Sequence, residues 1–194
     1  MSTFDTSHAE DKFVSAVSSA NKSDTCAKAG GVFTIQCRDK DGLLKWEASK
    51  HNLVVNVGLK DMNDKYFTGS AYTAAWYIGL YGAGASNTPA AGDTMSSHAG
   101  WTEVTAYSQA TRPAATFAAA TTADPSVITN SASPAVYSIN GTTTVGGAFL
   151  TSNSTKGGTT GTLFSAADFA SPGDRSVVSG DTLTVTYTFS LDAA

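Results

Sequence analysis

The sequence predicts a mainly β protein: an antiparallel β-sandwich, jelly-roll or immunoglobulin-like, with one short helix and an extended N-terminal arm. Three features carry this. The C-terminal run "GDTLTVTYTFSL" sets Leu183, Val185, Tyr187, Phe189 and Leu191 against Thr184, Thr186, Thr188 and Ser190, the period of two of a half-buried strand. Short apolar runs elsewhere are separated by turn signals such as "DKDG", "INGT" and "SPGDRS". Beyond the N-terminal arm, only one stretch changes to a helical period.

Residues 1–29 are rich in Ser, Ala, Asp and Lys and poor in large apolar side chains, which predicts an arm ahead of a sandwich domain spanning 30–194. Within the arm, Phe13, Val14 and Val17 in "EDKFVSAVSSA" lie at helical spacing. Regular structure is expected to begin at "GGVFTIQCRDKDGLLKWEA". There Phe33, Ile35 and Cys37 alternate with polar residues, "DKDG" turns the chain, and Leu44 and Trp46 follow in the second half of a hairpin. In "HNLVVNVGLKDMNDKYF" the residues Val55, Leu59, Met62 and Tyr66 recur every three or four positions, which predicts the helix. Asn52 is placed to cap its start, Gly69 to end it, and Gly58 within it requires support from tertiary packing.

The period then returns to two. "AWYIGLYG" places Trp76, Ile78 and Leu80 on one face and Tyr77 and Tyr81 on the other, as in a central strand. Weaker strand signals follow at "TEVTAYS" and "PAATFAAA", then "AVYSING", then "VGGAFLTS", whose glycines suggest a bulge or a close backbone approach. Seven or eight short strands are expected in all, in an order that sequence leaves open.

Composition excludes several function classes. Charged residues make up 14% of the 194-residue chain with a formal net charge of -4, and the 12 basic residues are scattered, so no phosphate-neutralising stripe for nucleic acid exists. No run approaches the length of a membrane span. The polar, acidic start "MSTFDTSHAEDKF" lacks the basic-then-apolar pattern of a secretory signal, so residence in a cytoplasm is expected. Accordingly Cys26 and Cys37 are read as free thiols, a bridge after release from the cell being the alternative, and the sequons at Asn140 and Asn153 as accidental.

No catalytic, metal or cofactor motif survives inspection, so no enzyme activity and no cofactor are expected. The loop "AAGDTMSSHAGWTEVTAYSQATRPA" holds His98 with Asp93, Glu103, Ser96 and Ser97 nearby, the residue types of a hydrolytic triad without a nucleophile elbow to present the serine. His8, His51 and His98 have no second His or Cys at ligand spacing, and the oxygen ladder of a calcium loop stops after Asp39 and Asp41. Gly157 and Gly158 beside Lys156 do not meet the phosphate-loop spacing.

The blocks "HNLVVNVGL", "AGDTMSSHAGWTE" and "VSGDTLTVTYTF", within a stretch from about 31 to 190, resemble a family of small virion structural proteins of tailed bacteriophages. The arm matches nothing in that family. The resemblance implies a non-enzymatic particle component, most readily a capsid decoration (cement) protein on the capsid surface of the virion, assembled in the host cytoplasm. Its implied partners are the major capsid protein and further copies of itself, as a dimer or trimer. A tail or head fibre module binding host carbohydrate is the alternative. Under this reading Trp101 and Tyr107 anchor apolar surface, and Asp93 and Ser96 satisfy turn backbone groups. Trp101, Tyr107 and Arg112, with Phe13 and Val14 of the arm, are the candidate interface residues, and the arm is the candidate capsid-facing clip.

Overall fold

The computed structural model describes residues 27–72, 74–82, 88–169 and 173–193. Phe13, Val14 and Cys26 therefore lie outside the described residues. Strand β1 (Lys28–Arg38) and strand β2 (Leu44–His51) form the expected hairpin. Its turn is built by Asp39, whose Oδ1 accepts the backbone N–H groups of Asp41 and Leu43, each at 2.9 Å, and by Gly42 at φ +81°. Since β1 begins at Lys28, residues 28 and 29 belong to the sandwich and not to the arm.

At Asn52 the chain steps from the first sheet to the second, where β3 (Leu53–Val54) leads into helix α1 (Asn56–Phe67). Strands β4 (Tyr77–Gly82), β5 (Thr102–Glu103), β6 (Ser126–Thr129), β7 (Ala135–Ser138), β8 (Thr143–Val145) and β9 (Gly147–Thr151) follow. Then come β10 (Leu163–Asp168), β11 (Arg175–Val177) and β12 (Thr182–Asp192). The first sheet runs β2-β1-β12-β6, with β7 also on β12; the second runs β3-β10-β9-β4-β5; β11 and β8 form a two-stranded ribbon. Every pairing is antiparallel.

The two large sheets pack face to face. Phe33, Ile35, Cys37, Leu183, Val185 and Tyr187 from the first and Ile78, Leu80, Ala148, Leu150 and Phe164 from the second share one buried cluster. The Tyr137 hydroxyl donates to the Ile78 carbonyl at 2.6 Å, and the Phe164 and Phe189 rings meet edge to face across the layer. β12 is central: β1 lies along its whole length on one side, while β6 and β7 share the other. Between those two short strands the ladder is completed by a side chain. Asn130 Oδ1 accepts the Tyr187 N–H at 2.7 Å and its own N–H bonds the Tyr187 carbonyl.

A third layer covers the outer face of the second sheet. Val55, Met95 and Trp101 pack there on Tyr81, Phe149, Leu163 and Ala166 in a second buried cluster. β9 and β10 are consequently buried on both sides, which erases any alternation from "GAFLT" and "LFSAAD". Gly147, in the glycine pair expected to allow a close approach, does so: a Cβ there would stand 2.0 Å from Tyr81 Cζ.

The structure corrects several expectations. Twelve strands are present among the described residues in place of seven or eight, because β3, β5, β6, β8 and β11 are too short to show a period. "PAATFAAA" forms no strand; Ala114 makes an isolated bridge with Tyr77. Asn52 does not cap α1, whose N-cap is Val55 without a side-chain bond. Asn52 instead accepts the Gly31 N–H at 2.6 Å and donates to the Tyr187 hydroxyl at 2.8 Å. Gly58 is not merely tolerated: a Cβ there would meet the Phe164 carbonyl oxygen at 2.3 Å, so the helix start is pressed directly on β10. Gly69, at φ +68°, stands just past the helix as expected.

Cys37 is a free, buried thiol, 3.8 Å from Asp181 Oδ2. Burial first, and then the Asp181 charge, push it up to about 11, so it behaves as a small apolar residue. Asp181 is itself buried. Desolvation alone would raise its pKa, but hydrogen bonds from Lys45 Nζ at 2.5 Å and the Val178 N–H at 2.9 Å outweigh that and hold it below the usual range. A carboxyl depressed in the fold contributes stability that is complete above its unfolded pKa of about 3.9 and fades as pH falls through the folded value. Asp181→Asn should therefore flatten the acid limb of a stability-versus-pH curve below about pH 4, as followed by urea denaturation.

Register supplies a sharper test. Val185 is fully buried between the sheets, whereas neighbouring Thr186, opposite Thr34 of β1, points to the partly exposed face. Val185→Asp should cost several kcal/mol and leave the chain insoluble, while Thr186→Asp should cost at most about 1 kcal/mol. Soluble yield and melting temperature of the two variants check this.

Candidate contact face

The loop from 90 to 114 is the natural place to look for chemistry, and its histidine and its charged side chains are engaged. Asp93 Oδ2 accepts the Ala90 N–H at 3.0 Å and lies 3.4 Å from the Trp101 indole nitrogen. That is the turn role expected of Asp93. Ser96 does not share it: Thr94 Oγ1 accepts the Ser97 N–H, and Ser96 reaches only the Thr94 hydroxyl. His98 stacks on the Trp101 ring with centroids 3.7 Å apart, its Nδ1 at 3.1 Å from the Trp101 carbonyl oxygen. The imidazole is thus bonded to backbone and stacked on indole, and no bond joins it to Asp93, Glu103, Ser96 or Ser97.

Arg112 ties this loop to the one at 152–161. Its guanidinium binds Glu103 through Nε at 2.8 Å and Nη2 at 2.6 Å, and donates to the carbonyls of Asn153 at 2.8 Å and Gly158 at 2.7 Å. Glu103 Oε2 also accepts the Gly157 N–H at 2.8 Å. The fork of five donors makes Arg the residue able to hold two loops at once. Lys156, the cation beside the glycine pair, is spent likewise: Nζ donates to the Tyr107 and Gln109 carbonyls and lies 4.3 Å from the Tyr107 ring centroid.

Trp101, Tyr107 and Arg112 were expected to be available for an intersubunit contact. They are 4%, 0% and 1% exposed, committed to the third layer, to the sandwich core and to the loop clamp, so their side chains present no surface for docking. The expectation that Trp101 and Tyr107 anchor apolar surface holds instead. Among the described residues no group of three or more His, Cys, Asp or Glu could hold a metal ion.

The surface feature that does stand out is formed around helix α1. The last turns of α1 leave the sandwich and carry Tyr66 at 83% and Phe67 at 76% exposure, with Tyr72 and Leu191 half exposed nearby. These four rim an apolar groove of about 820 Å³. Its floor is the open end of the sandwich core, where Trp76, Phe117, Ile128, Phe164 and Phe189 converge beside Met62 of the helix. The polar groups around it are largely occupied: the Trp76 indole N–H donates to the Tyr72 hydroxyl at 2.6 Å, and Lys65 donates to the Ala71 carbonyl while its ammonium lies 5.5 Å from the Tyr72 ring centroid. Asp61 and Asn63 stand at the rim. Such a cavity binds apolar side chains and offers little to a hydroxyl-rich ligand.

The stripe from Val55 to Tyr66 predicts the helix but not which part of it the sandwich leaves uncovered. The signal was present in "KYF": Tyr66 and Phe67 are adjacent on a helix, about 100° apart, so they cannot both point inward with Met62. Comparisons of the chain with protein-family models, with curated proteins and with solved structures find no match.

The loop clamp yields a test. Arg112→Met leaves the Glu103 carboxylate, itself nearly buried, without its cation and removes four hydrogen bonds, so it should cost about 3–5 kcal/mol and open the 152–161 loop to protease. His98→Ala, losing one stacked ring, should cost about 1 kcal/mol. Melting temperature and limited proteolysis distinguish the two.

Proposed function

We propose that this protein is a non-enzymatic structural component of a tailed-bacteriophage virion, a capsid decoration protein that docks on the assembled head and strengthens it. The observation that carries the reading is the contrast between the 90–114 loop and the groove. In the loop Asp93, His98, Glu103 and Arg112 are bonded within the fold; at the groove, aromatic side chains stand exposed around an apolar cavity. That is the surface of a protein that binds protein. The resemblance of the sequence blocks to small virion structural proteins supplies the setting, with the major capsid protein and further copies of this chain as the partners.

A β-sandwich whose loops are clamped suits the task. A filled head is under outward load, and many identical weak contacts repeated by symmetry give an avidity that no single contact provides. The fibre alternative, with host carbohydrate as ligand, draws no support from the groove, because a sugar needs free donors and acceptors beside the aromatic rings and those around this groove are few and largely engaged.

Densitometry of separated heads and tails tests the reading. The protein should travel with heads, emptied ones included, in copy numbers comparable to a capsid subunit; recovery with tails in few copies would favour the fibre module. Phe67→Ser combined with Tyr66→Ser should leave stability within about 0.5 kcal/mol per site, both residues being largely exposed, yet reduce head occupancy about tenfold or more.

A further inference from the structure

We infer that the floor of the apolar groove is the seat of the chain's own N-terminal segment, docked through Phe13, Val14 and Val17. The inference rests on reading the groove as a protein-contact surface and names what fills it before any other partner arrives. Three observations lead to it.

The first is where the chain enters the described structure. Lys28 at the start of β1 pairs with Asp192, and Ala29 pairs with Leu191, a rim residue of the groove, so residues 1–26 join the sandwich at the groove's own end. Ala29 itself packs against the core cluster that forms the floor. The second is reach. Val17 and Ala27 are ten residue steps apart, a tether of up to about 33–36 Å when extended. The segment "EDKFVSAVSSA", if helical, is only about 16 Å long. The third is chemistry. In helical register Phe13, Val14, Val17 and Ala20 share one face, while Asp11, Lys12, Ser15, Ser18 and Ser19 supply a polar one. This is the i, i+4, i+7 pattern of a helix laid into an apolar groove.

The tether also decides between the chain's own segment and that of a second copy. A short linker holds its segment at an effective concentration of order millimolar, above the concentration of other copies in dilute solution. With the segment seated, the floor is covered, while Tyr66 and Phe67, the most exposed rim residues, remain outward for a further partner.

Crosslinking in the full chain tests the placement. With Cys26→Ser removing the other thiol of the segment, and Cys37 buried inside the sandwich, Val14→Cys can be paired with Asn63→Cys at the groove rim. Under mild oxidation in dilute solution an intrachain bridge should form, identified by peptide mapping. It should form at least ten times faster than in a control pairing Val14→Cys with Leu44→Cys on β2. Equal rates would overturn the inference, and disulfide-linked dimers in place of bridged monomers would assign the groove to a second copy. Independently, Phe13→Asp with Val17→Asp in the full chain should raise the fluorescence of an apolar surface dye several-fold, and unchanged fluorescence would likewise overturn it. Both measurements use purified protein without heads, so their failure is separate from a failure of the decoration reading.

Discussion

The Tyr187 hydroxyl is where the two sheets are fixed to one another. Tyr187 belongs to β12 at the centre of the first sheet, and its ring lies 4.5 Å from that of Phe33 on β1. Its hydroxyl crosses the core to accept from Ser165 Oγ on β10 at 3.3 Å and from Asn52, the residue at which the chain changes sheets, at 2.8 Å. Asn52 in turn exchanges hydrogen bonds with the Gly31 backbone, its Oδ1 accepting and its N–H donating. A sandwich held only by apolar contact could slide. A buried polar node that must be satisfied admits one offset between the layers, since moving either sheet would strand a donor in a dry core. Gly31 is part of the same constraint: a Cβ there would stand 2.6 Å from the Thr188 carbonyl oxygen and 2.8 Å from the Tyr187 hydroxyl.

With the layers fixed, the second sheet still has an outer face to cover, and the long loops serve that purpose. The segment around Met95, His98 and Trp101 is packed as a third layer, and Arg112 then holds its far end against the 152–161 loop. Serine, histidine, aspartate and glutamate in one loop resemble a catalytic set on paper. Here the histidine, the aspartate and the glutamate are each bonded within the fold. Side chains held this way stiffen the loop.

Legibility in the sequence followed exposure. β1 and β12 were readable because one face is wet, so Phe33, Ile35, Val185 and Tyr187 alternate with polar partners. The hairpin turn was readable because Asp39 and Gly42 have specific backbone roles. β10 was not, because its neighbours cover both faces and "LFSAAD" is buried along almost its whole length. β6 and β11 were too short to show a period. At the site level, sequence read Trp101, Tyr107 and Arg112 as interface residues, whereas their side chains are buried: aromatic and arginine side chains serve cores and interfaces alike, and only the packing of the folded chain decides which. Likewise Asn52 was read as a local cap, when its partners lie 21 and 135 positions away in sequence.

The helix shows how one element can serve both fold and surface. Its first turn is pressed on β10 so closely that only glycine fits at position 58, and Val55 is fully buried. By Leu59 the stripe is already 41% exposed, and at Tyr66 and Phe67 it stands almost free. An apolar stripe that continues past the point where the sandwich can cover it adds nothing to the stability of the isolated domain. Solvent exposure of such side chains favours aggregation unless something occupies the face. The same stripe becomes useful when the first turn acts as a rigid mount and the last turns are held out toward a partner. Because the mount is anchored through Gly58 on β10, which meets Tyr187 through Ser165, the direction in which Tyr66 and Phe67 project is set by the same polar node that fixes the sheets. A face oriented by the core of the domain keeps one geometry, which the decoration reading proposed above requires of a contact repeated by symmetry.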